Sequence, residues 1–379
     1  MPDLLIHSAR KVDARGEVDS FWMLCSGDTI VETGHGTPPE APGATTLNAE
    51  GGWLTPGFID LHGHGGGGHS FDDDADAILA GLSTHRAHGT TRSVISLVAN
   101  PIDRLRTSLG IIADLAADDP LILGSHLEGP FLAPGNRGAH SPEHLLEPQP
   151  GIVEELLAAA RGTLRQLTIA PELPNAMEVI DVLVEAGVAV AIGHTMADAV
   201  CAHEAFDRGA RILTHAFNAM PGIHHRDPGP VVAAFEDERV TLELIMDGKH
   251  VHPRVVHLAF GAAPGRIALV SDAMAAAGFT DGDYSLGTLT VTVRDGLAML
   301  RGTSTIAGST VTQDSALRQA MRDVGIAPAD AVAALTLTPA RALGLDHELG
   351  LLAPGFAADA VLLNNAWRVQ RVWGAGREL

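Results

Sequence analysis

Lysine is nearly missing from this chain. Of the 25 basic residues in 379, only Lys11 and Lys249 are lysines, and arginine supplies the rest. Against 46 acidic residues this leaves a formal net charge of -21, which excludes a general affinity for nucleic acid or an anionic membrane. An anionic small molecule is still admissible where a few local cations offset the field. Cysteine is as scarce: Cys25 and Cys201 cannot build a disulfide framework and suit a reducing cytoplasm. No apolar run approaches the length of a membrane helix. The segment Met1-Pro2-Asp3-Leu4-Leu5-Ile6-His7 has neither a basic region nor a long apolar stretch, so no secretory signal is expected and the cytoplasm is the expected location. What remains is 46% hydrophobic residues and a mean hydropathy of +0.15, the composition of a well-packed soluble protein. The length allows one large barrel-type domain with something small beside it, or two ordinary domains.

The two ends of the chain share a texture. Leu4-Leu5-Ile6, Phe21-Trp22-Met23-Leu24 and Thr29-Ile30-Val31 read as short strands between Gly and Asp turns, with a loop at Pro38-Pro39-Glu40-Ala41-Pro42-Gly43. Ala360-Val361-Leu362-Leu363 and Arg371-Val372-Trp373 read the same way. Residues 1–53 and 345–379 are therefore expected to pair into one small β domain. The middle, 54–344, alternates apolar runs with helical patterns at 75–88, 103–116, 153–161, 176–186, 197–209 and 253–262. Eight strands are expected to end near Asp60, Leu97, His126, Ala170, Gly193, His215, Met246 and Ser271. Eight βα units point to an α/β fold, a (β/α)8 TIM barrel. A hairpin over 284–301, turning at Asp295-Gly296, is expected after the eighth strand.

The chemistry gathers where the strands end. His62-Gly63-His64 follows the apolar run 54–61, and residues two apart on a strand face one way, so both imidazoles can meet one cation. Gly65-Gly66-Gly67-Gly68 then lets the backbone bend around it. Strand three ends in His126-Leu127-Glu128, five in Gly193-His194, six in Thr214-His215, seven in Asp247-Gly248-Lys249-His250 and eight in Ser271-Asp272. A barrel's packing side chains are mostly apolar, so no packing need places ligand-type residues at one rim on strand after strand. Imidazoles with one carboxylate suit zinc or another borderline divalent ion such as iron, and fit magnesium or calcium poorly. Glu128, His194 and His215 make a three-ligand set with an open position. His62 and His64 could complete a second site with Glu128 bridging. A carboxylated lysine bridge is not expected, because neither lysine sits at a suitable strand end. Asp272 is the candidate general base beside water activated by the metal.

These segments resemble the N-acetylglucosamine-6-phosphate deacetylase family of the amidohydrolase superfamily. The resemblance rests on Pro56-Gly57-Phe58-Ile59-Asp60-Leu61-His62-Gly63-His64-Gly65, His126-Leu127-Glu128-Gly129-Pro130-Phe131, Gly138-Ala139-His140 and Gly193-His194-Thr195. Thr214-His215-Ala216-Phe217-Asn218-Ala219-Met220-Pro221, the stretch Asp247 to His252, Ser271-Asp272-Ala273-Met274 and Ile306-Ala307-Gly308-Ser309-Thr310 continue it in order. It implies a barrel with a small β-sandwich from both chain ends, a homodimer, and hydrolysis of the acetamide of N-acetylglucosamine 6-phosphate to glucosamine 6-phosphate and acetate, in aminosugar catabolism or cell-wall recycling. It also implies Glu128, His194 and His215 as ligands of the main metal, with Asp272 as acid/base. Some family members lack histidines at the first-strand pair and run on one metal; both are kept here, which favours two. By the same matching, Asn218, Ala219 and His250 would contact the sugar phosphate, and Arg226 would reach the phosphate of the neighbouring subunit's site. His140 would polarise the acetyl carbonyl, and Ile306 and Ala307 would line the acetyl pocket. His69, His85, His88, His203 and His257 match nothing functional.

Two other readings are consistent with the sequence. A relative of the same mechanism could act on N-acetylgalactosamine 6-phosphate or an N-acyl amino acid. A barrel that has lost catalysis could persist as a metal-binding scaffold, although the intact Asp272, Glu128, His194 and His215 speak against decay.

Overall fold

A computed structural model describes residues 3–379; Met1 and Pro2, at the start of the expected first β segment, lie outside the described residues. Eight parallel strands form one sheet in chain order. They are β1 Phe58–Asp60, β2 Thr90–Val98, β3 Ile122–Glu128, β4 Leu164–Ile169, β5 Ala189–Ile192, β6 Ile212–Leu213, β7 Thr241–Ile245 and β8 Ile267–Val270. Each expected strand end falls within two residues of the observed one. The strands are buried on nearly every residue, as a parallel sheet covered by helices requires. Helices Ala75–Ala87, Ile102–Asp118, Pro150–Ala160, Ala176–Glu185, Ala199–Asp207 and Pro253–Ala262 occupy the expected stretches. The carboxylates of Asp74 and Asp198 cap two of them, accepting from the N–H of Ala77 and Cys201. Helix Gly229–Glu236, between β6 and β7, was not anticipated: it opens on Gly-Pro and buries Val231, Ala233 and Ala234 with little polar stripe to betray a helical period.

The barrel closes by side chains as much as by backbone. Between β8 and β1, Gly63 and Ala273 pair just beyond the strand ends. Below them the Gln313 amide donates to the carbonyls of Ile59 (3.1 Å) and Leu269 (3.2 Å), spanning the gap. The buried Asp60 carboxylate accepts from the N–H of Ser271 at 3.1 Å and of His62 at 3.3 Å.

Both chain ends enter a second, mixed sheet of eight strands. Its N-terminal members are Leu4–Asp13, Gly16–Ser26, Thr29–His35, Thr45–Asn48 and Trp53–Pro56; its C-terminal members are Ala360–Leu363, Val369–Gly374 and Arg377–Glu378. Trp53–Pro56 joins the two sets, antiparallel to Ala360–Leu363 and parallel to Leu4–Asp13. The sheet folds over a core of Ile6, Phe21, Met23, Ile30, Leu54, Leu352 and Trp373. Its far edge returns to the C-terminal segment, where Ile30 N–H bonds the Phe356 carbonyl at 2.8 Å. After β8 the expected hairpin is a three-stranded sheet, Gly282–Leu286, Leu289–Arg294 and Leu297–Leu300. Asp295 (φ 51°) and Gly296 (φ 64°) form its second turn, both with the positive φ of a type I′ hairpin.

Candidate active site

At the C-terminal rim the strands leave the barrel abruptly. His194, His215 and Asp272 each take a left-handed backbone, with φ of 48°, 26° and 44°. Histidine and aspartate tolerate this region better than most residues. Each such residue still costs about 1–3 kcal/mol, strain that collects at functional sites. The turns aim the three side chains inward at Glu128, the last residue of β3. Glu128 Oε1 lies 3.0 Å from both His194 Nε2 and His215 Nε2, which are 3.0 Å from each other. On the other side, His62 Nε2 is 3.1 Å from His64 Nε2, and both stand within 3.5 Å of Asp272 Oδ1. Glu128 spans the two groups, with Oε2 at 3.2 Å from His64 Nε2 and Oε1 at 3.4 Å from His62 Nε2. Glu128-His194-His215 and His62-His64-Asp272 are thus two adjoining ligand sets, all six residues buried.

The donor spacing fits a metal ion. Imidazole nitrogens bond zinc at ~2.0–2.1 Å, which places neighbouring donors of a tetrahedron about 3.3 Å apart. Pairs of imidazole nitrogens at 3.0–3.1 Å repel unless a proton or a cation lies between them. The first-strand histidines, counted as a second group, pair with Asp272 as well as with Glu128.

The electrostatics carry the same message. Burial pulls His62 and His64 down, but the carboxylates of Glu128 and Asp272 outweigh it, leaving His62 well above the ordinary imidazole value and His64 at about 9. Burial pushes Asp272 up, and His62 and His64 bring it down to about 2. Glu128 likewise falls well below the carboxylate range against the opposing effect of burial, through His62 and His140. His140, by contrast, is dominated by burial and sits at about 4. The N–H of Ala99 donates to its Nδ1 at 3.2 Å, so the proton of the neutral ring is on Nε2, 3.2 Å from Glu128 Oε2.

The ligand rim floors a cavity of about 320 Å³, whose lining includes His64, Glu128, His140, His194, His215 and Asp272 together with Asn218, Ala219, His250 and Ile306. His250 Nδ1 pairs with Asp247 Oδ2 at 2.7 Å; burial lowers this ring, but the Asp247 carboxylate prevails and raises it. Gly138 (φ +56°) approaches the metal rim, and a Cβ there would stand 3.0 Å from His194 Cε1. Two expected contacts lie elsewhere. Ala307 is fully buried in an apolar cluster with Val98, Met274 and Leu286, so its methyl supports the cavity wall without lining it. Arg226 is exposed, outside the lining residues, with Nη1 at 2.6 Å from His225 Nε2. Lys11 pairs with Asp13 at 2.8 Å and Lys249 Nζ reaches the Asp295 carbonyl at 2.6 Å; neither lines the cavity.

Residues outside the expected ligand and substrate set also shape the site. Asn136 accepts from His194 Nδ1 through its carbonyl at 2.9 Å. His126 turns away from the cavity into bonds with Ser96 (2.9 Å) and Thr168 (2.8 Å), and burial holds its pKa well below the usual value. His85 is buried beneath the glycine string, 2.8 Å from the Gly65 carbonyl. Leu286 and Thr305 reach the cavity from the inserted sheet and the segment after it. Glu243, mid-strand in β7, is buried between His62 and Gln166. Its one sequence signal is a carboxylate inside an otherwise uncharged strand, Thr241-Leu242-Glu243-Leu244-Ile245.

A parallel eight-stranded barrel with two histidine–carboxylate ligand sets at its C-terminal rim defines a metal-dependent hydrolase class, and the sequence model of the amidohydrolase family matches residues 53–379. N-acetylgalactosamine-6-phosphate deacetylase of Escherichia coli O157:H7 is 39% identical over 328 residues, 86% of this chain and 87% of that protein. N-acetylglucosamine-6-phosphate deacetylase of Homo sapiens is 35% identical over 339 residues, 85% of this chain and 82% of that protein. The solved structure of N-acetyl-D-glucosamine-6-phosphate deacetylase from Mycobacterium smegmatis, a mutant in complex with N-acetyl-D-glucosamine-6-phosphate, superposes with a TM-score of 0.94 at 39% identity, covering 100% of this chain and 99% of that one. The chain belongs to the amidohydrolase family and, within it, to the N-acetylglucosamine-6-phosphate deacetylases.

Proposed function

We propose that this chain hydrolyses the acetamide of N-acetylglucosamine 6-phosphate, releasing acetate and glucosamine 6-phosphate. The observation that carries the reading is the juxtaposition of Glu128, His194 and His215 with Asp272 and His140 around one cavity. Glu128, His194 and His215 would hold the main divalent ion, zinc or iron, and His62 and His64 a second. Such an ion, when bound, polarises an acyl oxygen and lowers the pKa of water. Asp272, a carboxylate at neutral pH, takes the proton of the attacking water and later delivers it to the leaving amine. His140 presents Nε2–H to the acetyl oxygen as negative charge develops there. Asn218, Ala219 and His250 hold the sugar, Ile306 bounds the acetyl group, and Ala307 backs that wall.

Arg226 is proposed as the phosphate ligand of a neighbouring subunit in a homodimer, its planar guanidinium supplying a local cation to an acidic protein. Residues 1–53 with 345–379 are proposed as the supporting β domain and 54–344 as the hydrolase domain, the sheet strand Trp53–Pro56 running three residues past that boundary, and the cytoplasm as the site of action. Because the Escherichia coli relative at 39% identity is named for the galacto epimer, the test compares both hexosamine phosphates. Acetate release is measured from each, and from an N-acetyl amino acid, alongside metal content. The gluco epimer is expected to give the highest kcat/KM. Arg226→Ala is expected to raise KM at least tenfold with kcat less affected; an unchanged KM would defeat the sugar-phosphate reading.

A further inference from the structure

Glu243 lies at the centre of β7 with its side chain fully buried. Its neighbours Thr241 and Ile245, two residues to either side, share its face of the strand, and Ile245 lines the cavity above. Two of the three polar contacts of this carboxylate are to residues of the ligand rim. Oε2 is 3.2 Å from His62 Nδ1 and accepts the N–H of His215 at 3.3 Å. Oε1 accepts from the Gln166 amide at 2.8 Å. A barrel interior gains nothing from a buried charge that a leucine would not give, since apolar replacement of buried ionic groups is often neutral or stabilising.

The His62 ring is confined on its remaining sides. It meets the edge of His126 at 4.6 Å between centroids and stacks near His215 at 5.6 Å. Only Nε2 faces Glu128, His64 and Asp272. Both oxygens of this carboxylate accept, Oε1 from Gln166 and Oε2 from the His215 N–H, so Glu243 fixes the proton of a neutral His62 on Nδ1 and leaves the Nε2 lone pair free. His64 has no such support: its buried Nδ1 has no hydrogen-bond partner among the described residues. We propose that Glu243 is a positioning residue that sets the tautomer and orientation of His62, and thereby determines whether a second divalent ion joins the one at Glu128, His194 and His215. This rests on the metal-dependent reading of the site.

The test is zinc titration of chelator-stripped full-length protein against a chromophoric chelator, with thermal melting alongside. Wild type is expected to take two ions in resolvable steps. Glu243→Gln, which replaces the charged acceptor at Nδ1 with a neutral amide, is expected to weaken the second step by about 10–100-fold and the first less than twofold. In a His62→Asn background the same change is expected to have no further effect, because Glu243 acts through that ring. Equal affinities in wild type and variant overturn the proposal. So do a single ion in wild type, parallel weakening of both ions with a lowered melting temperature, or an effect that persists without His62. Should Glu243→Gln not fold, Glu243→Asp withdraws the charge by one methylene and must weaken the same step, or the proposal fails. A wild type that binds no zinc removes the metal reading as well; two ions with the second indifferent to Glu243 removes this inference alone.

Discussion

Asp314 shows what one buried carboxylate contributes away from the site. It opens helix Gln313–Gln319 next to the Gln313 amide that spans the barrel gap. His88 Nδ1 approaches it at 3.0 Å, and the Thr312 hydroxyl and Arg318 guanidinium each donate at 2.6 Å. Burial pushes its pKa up, yet these partners bring it from 3.8 down to about 2. A carboxyl depressed on folding stabilises the protein fully above its unfolded pKa, and that contribution disappears as the pH falls through the folded value. Asp314→Asn is therefore expected to lower unfolding free energy by roughly 2 kcal/mol at pH 6–7. The difference from wild type should shrink between about pH 4 and pH 2. Urea unfolding across that range checks it: a penalty independent of pH would show that lost packing, and not the charge, is responsible.

At the scale of elements, the segment that leaves the histidine pair depends on a near-contact of backbones. Gly65 and Gly66 pair with Ser70 and His69 in a minimal hairpin. A Cβ on Gly65 would stand 2.3 Å from the His69 carbonyl oxygen and 3.1 Å from the Ala275 nitrogen. Backbone on both sides cannot yield as a side-chain tip would, so Gly65→Ala must push the hairpin off the rim. The expected result is a loss of roughly 1–3 kcal/mol of stability, the range of overpacked interiors, with weaker metal binding at His62 and His64. Thermal melting and elemental analysis read the two effects; a variant of unchanged stability and metal content would show that the hairpin is free to shift.

Elements of this kind also show what the sequence made legible. The eight apolar runs announced themselves by length and spacing, and their polar last residues by recurring on strand after strand. The closing contacts did not, because Gln313 and Asp60 act across 254 and 211 residues of chain, on Ile59 and Ser271. Glu243 was hidden for the same reason: a lone carboxylate in a strand gains its meaning from Gln166 and His62, which only the barrel brings beside it. Helix Gly229–Glu236 escaped because an almost wholly apolar face leaves no period to read. The inserted sheet revealed its Asp295-Gly296 turn, whose residue types favour a positive φ, but not the turn at Gly287 that divides its first arm into Gly282–Leu286 and Leu289–Arg294.

Over the whole molecule, the terminal sheet lends Val12, Val361, Leu363 and Val372 to the barrel's apolar core, and a buried ion pair crosses the same junction. Arg92, on β2, sets Nε at 2.6 Å and Nη2 at 3.2 Å from the two oxygens of Asp359, which directly precedes the sheet strand Ala360–Leu363. Asp359 also accepts the Ala375 N–H at 2.7 Å, tying in the turn before the last strand. Removing one partner of such a pair strands the other charge in a poorly hydrated place, at a cost of about 3–5 kcal/mol, whereas replacing both with apolar residues is often close to neutral. The protein carries a natural reporter for this junction. All four tryptophans, Trp22, Trp53, Trp367 and Trp373, belong to the sheet's strands or the loop beside them. Trp53 and Trp367 stack at 4.7 Å. The helices, which dominate far-ultraviolet circular dichroism, surround the barrel. In wild type the sheet strand Trp53–Pro56 runs almost directly into β1, so both signals should change together in urea. Asp359→Ala is expected to move the fluorescence transition to lower urea ahead of the dichroism, and Arg92→Met combined with Asp359→Leu to bring the two back together. Transitions that stay coincident and unshifted in Asp359→Ala would mean that apolar packing along β1, not the ion pair, couples the sheet to the barrel.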